Sequence, residues 1–162
     1  MANTSLQVQS LDRKILVIVG LGLLLSIYSL YVEIKHDYEE SYEALCDINS
    51  LVSCSAAFFS DYGRGFGILP EPIAFRNPVF GVLFYSAVLT FVLLGPKLHF
   101  ARLLFILAIF SNLGSIFLGF VLAFVLHVAC LICISTYVIN FLLLKYTWRR
   151  LKLIQHSENL KL

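Results

Sequence analysis

Three stretches of the chain lack the alternation of polar and apolar positions that marks an element with one wet face. Residues 15–32 read ILVIVGLGLLLSIYSLYV, residues 78–95 are apolar up to the stop Gly95-Pro96, and residues 103–144 are apolar throughout. A helix that crosses a bilayer needs about 20 mostly apolar residues at a rise of ~1.5 Å each. The first two runs each supply one span, and the third is long enough for two. Only His127 interrupts the third with a basic group, so a tight hairpin is expected at 126–129. The spacing predicts spans at about 15–32, 78–95, 102–125 and 129–146, with a connecting cap over 33–77. The first run is long for a signal peptide and no small-x-small cleavage site follows it, so it reads as a retained anchor.

Composition agrees with that pattern. Of 162 residues, 59% are hydrophobic and 14% charged, more apolar surface than a soluble domain of this size can hide. A net charge of +2 does not suggest nucleic acid. No repeat, low-complexity tract or linker divides the chain, so residues 1–162 read as one membrane domain. Charge then orients it. Segment 33–76 holds eight acids and three bases, whereas the rest holds nine bases and two acids. Lys and Arg collect on the cytoplasmic side of a membrane protein, which places both termini in the cytoplasm. The fold class expected is all-α and integral to the membrane: a four-transmembrane-helix bundle with a luminal cap between helices 1 and 2.

Sidedness gives the cysteines their meaning. Cys46 and Cys54 fall in the acidic segment, and Cys130 and Cys133 follow the second hairpin, so all four face an oxidising compartment, lumen or periplasm. Spaced C-x7-C and C-x2-C, they admit three pairings, which sequence leaves open. Two bland readings compete: small buried hydrophobes in a helix, or a tetrahedral zinc cage. Against them, Cys130, Cys133, Tyr137 and Asn140 share one helical stripe, and polar groups on such a stripe face the bundle interior. Cys130 would sit at a helix N-terminus, where the dipole favours the thiolate. Two such pairs can pass electrons by thiol–disulfide exchange, and lipid-side access suggests a small apolar oxidant such as a quinone.

At this level of detail the chain resembles the vitamin K epoxide reductase family over roughly residues 23–144. The pieces that carry the resemblance are ALCD at 44–47, CS at 54–55, GRGFG at 63–67, N-x-x-FG at 77–81 and C-x-x-C-I-x-TY-x-x-N at 130–140. The resemblance implies thiol-dependent reduction of vitamin K 2,3-epoxide to the quinone and of the quinone to the hydroquinone, with no tightly bound cofactor beyond redox-active disulfides. It implies that Cys133 attacks substrate, that Cys130 resolves, and that Cys54 and Cys46 reload the pair from a luminal thioredoxin-like donor. Asn77 and Tyr137 would donate to substrate oxygens, and Phe58, Phe80 and Phe84 would wall the ring. The resemblance further implies an endoplasmic reticulum membrane location and competition by coumarin-type inhibitors. Tyr62 stands where the animal proteins have tryptophan, and the stretch 67–77 is shorter than theirs.

Local readings stand beside these implied roles. Asn77 before Pro78 matches a helix N-cap followed by proline in the first turn. Gly63–Gly67 fits a tight turn with positive φ, from which Phe66 would dip into the bilayer surface. Ser115 with Gly114 and Gly119 reads as close helix packing. Two other functions compete: a quinone-coupled thiol oxidase running the same relay backwards, since direction is set by potentials, and a non-enzymatic four-span scaffold.

Overall fold

The computed structural model describes residues 2–39, 42–70 and 73–159. Glu40, Glu71 and Lys161, which enter the charge count above, lie outside the described residues. Five α-helices account for most of the chain: α1 Ala2–Tyr38, α2 Cys54–Phe58, α3 Asn77–Leu93, α4 Leu98–Val121 and α5 Leu131–Asn159. No strand forms among the described residues. Helices α1, α4 (with the turn that follows it) and α5 are long and apolar enough to cross a membrane, while α3, at 17 residues, is apolar but shorter. Exposed aliphatic and aromatic side chains stud their outer faces, for example Val17, Leu24, Leu83, Ile116 and Phe141. In water such a surface would drive aggregation; against lipid tails it is the surface required.

The helices run past the spans expected from hydropathy. α1 begins thirteen residues before Ile15 and α5 ends thirteen after Tyr146, because each extension has its own apolar stripe to bury. Val8 packs with Ala101, Leu151 and Ile154 in a small cluster at that end. Arg150, fully buried, closes it: its Nε donates to Asp12 Oδ1 at 2.6 Å and its second amino group to the Gly95 carbonyl at 3.3 Å. One guanidinium thus ties α1, α5 and the α3–α4 corner. The middle of the bundle is a continuous core of Ile15, Val19, Tyr85, Val88, Leu104, Ala108 and Leu143, drawn from all four long helices.

The other end is where the structure becomes irregular. α4 widens into a π-helical turn at Leu122–Leu126, and His127 takes a left-handed φ of 54°. Val128 N donates back to Leu122 O at 3.1 Å, which closes the helix end. The reversal falls where the lone His suggested it. The segment from 42 to 76 lies over this end, with short α2 and two 3₁₀ turns, Asp61–Gly63 and Gly65–Gly67. It is stitched down by backbone: Ala129 N donates to Leu51 O at 2.7 Å and Ser53 N to Ala129 O at 3.0 Å.

Candidate functional site

That stitch brings two cysteine pairs together. Ser53 is the residue before Cys54, and Ala129 is the residue before Cys130. Cys46–Cys54 and Cys130–Cys133 are each disulfide-bonded, with Cα–Cα separations of 5.8 and 5.2 Å. The chain thus forms two pairs local in sequence, one of the three pairings the cysteine count allowed. Cys54 and Cys130 are both fully buried and belong to one apolar cluster with Val32, Ala44, Ala57, Phe58 and Leu122. Cys46 and Cys133 are half-buried at its edge.

Local chemistry explains how each cysteine is held. Ser53 caps α2, its hydroxyl accepting from Ala56 N at 3.0 Å, so Cys54 is the first residue of that helix. Asp47 fixes the loop from the other side, accepting from Ala44 N at 2.9 Å and Ser55 N at 3.0 Å. Burial alone would raise the Asp47 carboxyl, but hydrogen bonds from Ser55, Ser53 and Ala44 outweigh it and hold its pKa below the ordinary value. Cys130 precedes α5, and its Sγ accepts from Cys133 N at 3.1 Å. Cys130 therefore occupies the helix-capping position expected for it.

Cys133 faces a cavity of about 360 Å³ between the helices. Cys133, Tyr137, Asn77, Phe58, Phe80 and Phe84, singled out in sequence, all line it. So does Asn140, the last of the α5 stripe. Its amide accepts from Tyr85 Oη at 2.9 Å and donates to Ser115 Oγ at 2.9 Å, joining α3, α4 and α5 at the cavity wall. The Tyr137 hydroxyl enters no hydrogen bond with a described residue, so it is a donor still to be used.

Three local expectations are corrected here. Arg76, not Asn77, occupies the N-cap of α3, and Asn77 is the first helical residue with Pro78 behind it. The Asn77 amide instead organises the glycine turn: Oδ1 accepts from Phe66 N at 2.9 Å and Nδ2 donates to Tyr62 O at 2.6 Å. One N–H of Nδ2 remains. Phe66 does not dip into a bilayer surface; it lines the cavity and its ring lies 5.5 Å from that of Phe80. The turn achieves this with Gly65 and Gly67 at φ of 52° and 70° and Phe66 itself at 59°. Gly63 is needed for another reason, since a Cβ there would collide with the Phe58 carbonyl. Third, of the three residues read as close helix packing, Gly114 departs: it lines the cavity, and nothing lies within 4 Å of a Cβ built there. Ser115 does join α4 to α5, accepting from Asn140 Nδ2, and Gly119 lies against the Tyr137 ring.

Sequence reasoning missed several lining residues, above all Glu33. It looked like one of many solvated acids, yet it is 1% exposed. Arg76 Nη1 donates to its Oε2 at 3.2 Å, and Arg76 Nη2 also pairs with Asp37. An acid one turn from another acid, Glu33 and Asp37, with an arginine just ahead of a predicted span, was the available signal. Ser26 and Ser29, which bond their own helix at Gly22 O and Leu25 O, also line the cavity.

Comparison with known proteins agrees with the motif set. A family model for the vitamin K epoxide reductase family matches residues 14–148. The chain is 39% identical over 126 residues to vitamin K epoxide reductase complex subunit 1 of Mus musculus, covering 74% of this chain and 77% of that protein. The protein of the same name from Rattus norvegicus matches over the same extent at the same identity. A matched region that contains both disulfides and every cavity residue named above shows that the chain belongs to the vitamin K epoxide reductase family, and is an oxidoreductase of the membrane.

Proposed function

We propose that this protein reduces vitamin K 2,3-epoxide to the quinone, and the quinone to the hydroquinone, with Cys133 and Cys130 as the reacting thiols and Cys54 and Cys46 as the couple that reloads them. The single observation that carries this reading is the second disulfide on the wall of an apolar cavity, with the first disulfide stitched beside it through Ser53 and Ala129. Thiol–disulfide exchange requires the sulfurs to meet, and one apolar cluster holding Cys54 and Cys130 supports that.

In this mechanism the reduced Cys133 attacks the substrate carbon, and Cys130 then attacks Cys133 to release product and close the inner disulfide. Cys130 is suited to resolve, because its sulfur already sits against the first turn of α5. Asn77 and Tyr137 offer one N–H and one O–H to the substrate oxygens, where developing charge makes donors most effective. Phe58, Phe80 and Phe84, joined by Phe66, wall the ring. Phe110 lines the cavity while 67% exposed, so an isoprenoid tail can leave between α3 and α4 into lipid.

We read α3 as the fourth span, which puts both termini on one side, in the cytoplasm, and the 42–76 cap in the endoplasmic reticulum lumen. There a thioredoxin-like dithiol protein would reduce Cys46–Cys54, and coumarin-type compounds would compete for the quinone cavity. The test is an epoxide-reduction assay on purified protein. Cys133→Ala and Cys130→Ala should abolish turnover even with a small dithiol reductant. Cys46→Ala and Cys54→Ala should retain dithiol-driven turnover and lose turnover driven by a protein donor. Full activity without Cys133 refutes the assignment.

A further inference from the structure

The electron path proposed above says nothing of protons, and the structure offers a place for them. Reduction of the epoxide by two thiols forms one S–S bond, breaks the epoxide C–O bonds, and delivers two electrons and two protons, so that the oxygen leaves as water. Exchange of a dithiol with a disulfide proceeds by thiolate attack, so the proton of the attacking thiol is left in water outside and Cys133 is reloaded as a thiolate. Protons must then be brought to an oxygen held among phenylalanines.

A second cavity, of about 570 Å³, lies outside the first and is polar, with His36, Asp37, Asp61, Arg64 and Arg76 in its walls. The two cavities share Glu33, Phe58 and Ser60. Among the described residues that line the inner cavity, Glu33 is the one carboxyl. It is 1% exposed, and while Oε2 is held by Arg76, Oε1 has no hydrogen-bond partner among the described residues. A buried acceptor without a protein partner beside a polar cavity is open to that cavity's water.

We propose that Glu33 is the proton-transfer residue of this site, taking a proton from water in the outer cavity and passing it through Oε1 toward the substrate oxygen in the inner one. This rests on the epoxide-reduction reading and adds its proton path. Glu33 supplies one of the two protons that leave in the product water and is recharged from outside, and the Cys130 thiol gives up the other as it closes the disulfide on Cys133. Arg76 holds Oε2, which leaves Oε1 as the oxygen that carries the proton. His36 and Arg64, with Asp37 and Asp61, set the field on the outer side.

The test uses the full-length protein with vitamin K epoxide and a small dithiol, which bypasses the protein donor. Glu33→Gln keeps the shape and the Arg76 bond but cannot carry a proton; turnover should fall about 100-fold, the scale of a lost acid–base group. Alkylation of the reduced Cys133 should proceed at the native rate. In Glu33→Ala, added formate should restore turnover. On the native protein, dicyclohexylcarbodiimide should label Glu33 and inactivate, and bound epoxide should slow both; this arm decides the matter should the variants fail to fold. Native turnover in Glu33→Gln overturns the proposal, as does loss of Cys133 alkylation in parallel with turnover, which would mark a structural role. Absence of carbodiimide label at Glu33 overturns it as well. A native protein that does not reduce the epoxide at all refutes the underlying reading instead, and is distinguished by that control.

Discussion

Replacing Asn77 by alanine separates two duties that one amide performs. Its side chain accepts from Phe66 N at 2.9 Å and donates to Tyr62 O at 2.6 Å, so Asn77→Ala removes two hydrogen bonds from the glycine turn. At about 1 kcal/mol net each, the turn loses about 2 kcal/mol, which thermal unfolding in detergent will register as a modest drop. The remaining Nδ2 proton is the one available to a substrate oxygen. Loss of a donor to a developing oxyanion costs about 100- to 1,000-fold in kcat, well beyond what a slightly looser turn explains. Gly65→Ala is the control, because it strains the same turn, where φ is 52°, while leaving the amide and the cavity wall in place. The assay is dithiol-driven epoxide reduction at saturating substrate. Asn77→Ala that melts lower yet turns over at the native rate would refute the donor role and leave Asn77 a structural staple. Equal rate losses in Asn77→Ala and Gly65→Ala would assign the effect to the turn.

Other consequences are as direct. Asp47 has its pKa held below the ordinary value by its hydrogen bonds, so its contribution to holding the Cys46–Cys54 loop is fully present above the unfolded pKa near 4. It is lost as pH falls through the lower folded value; protease cleavage of the loop between 42 and 53 should rise in that acid window, and Asp47→Asn should show the raised cleavage at neutral pH. Gly114→Phe should fill the space beside the proposed tail exit, raising KM for a long-tailed epoxide more than for a tail-less analogue; equal effects on both would argue against that exit. Arg150→Ala should leave Asp12 and the Gly95 carbonyl without their buried partner, costing about 3 kcal/mol of stability in a thermal melt, while the Cys133 alkylation rate of the surviving fold stays native.

What could be read from sequence divides along a physical line. Properties that repeat with the helix were legible: the apolar runs, the reversal at His127, and the stripe Cys130, Cys133, Tyr137 and Asn140, of which the last three line the cavity while Cys130 is buried ahead of α5 in the cluster with Cys54. Short-range chemistry was partly legible. The glycine turn was expected, but the direction of Phe66 was not, since it depends on a φ of 59° that a non-glycine residue adopts only because Asn77 holds its N–H. Contacts across the sequence were not legible. Nothing local tells that Glu33 meets Arg76, 43 residues away, or that the acid is buried. A net charge count treats Glu33 as a solvated acid, and only the packing of α1 beneath the cap removes it from water.

The same distinction explains why the two disulfides belong to one site. Each pair is local, eight and three residues apart in sequence, and so could form in an isolated loop or helix end. Their proximity is a separate fact, created by two backbone hydrogen bonds between Leu51, Ser53 and Ala129. Backbone bonds do this with any side chains, so the register of Cys54 against Cys130 does not depend on the composition of the cap. Under the proposed relay, rigidity at that seam has a cost, because the sulfurs must approach and part during exchange. The π-helical turn at Leu122–Leu126 and the left-handed His127 leave the α4–α5 corner without a regular ladder beside the seam. A proline at Ser53 deletes the N–H that reaches Ala129 and should slow transfer from the outer couple to the inner one, with dithiol-driven turnover little changed.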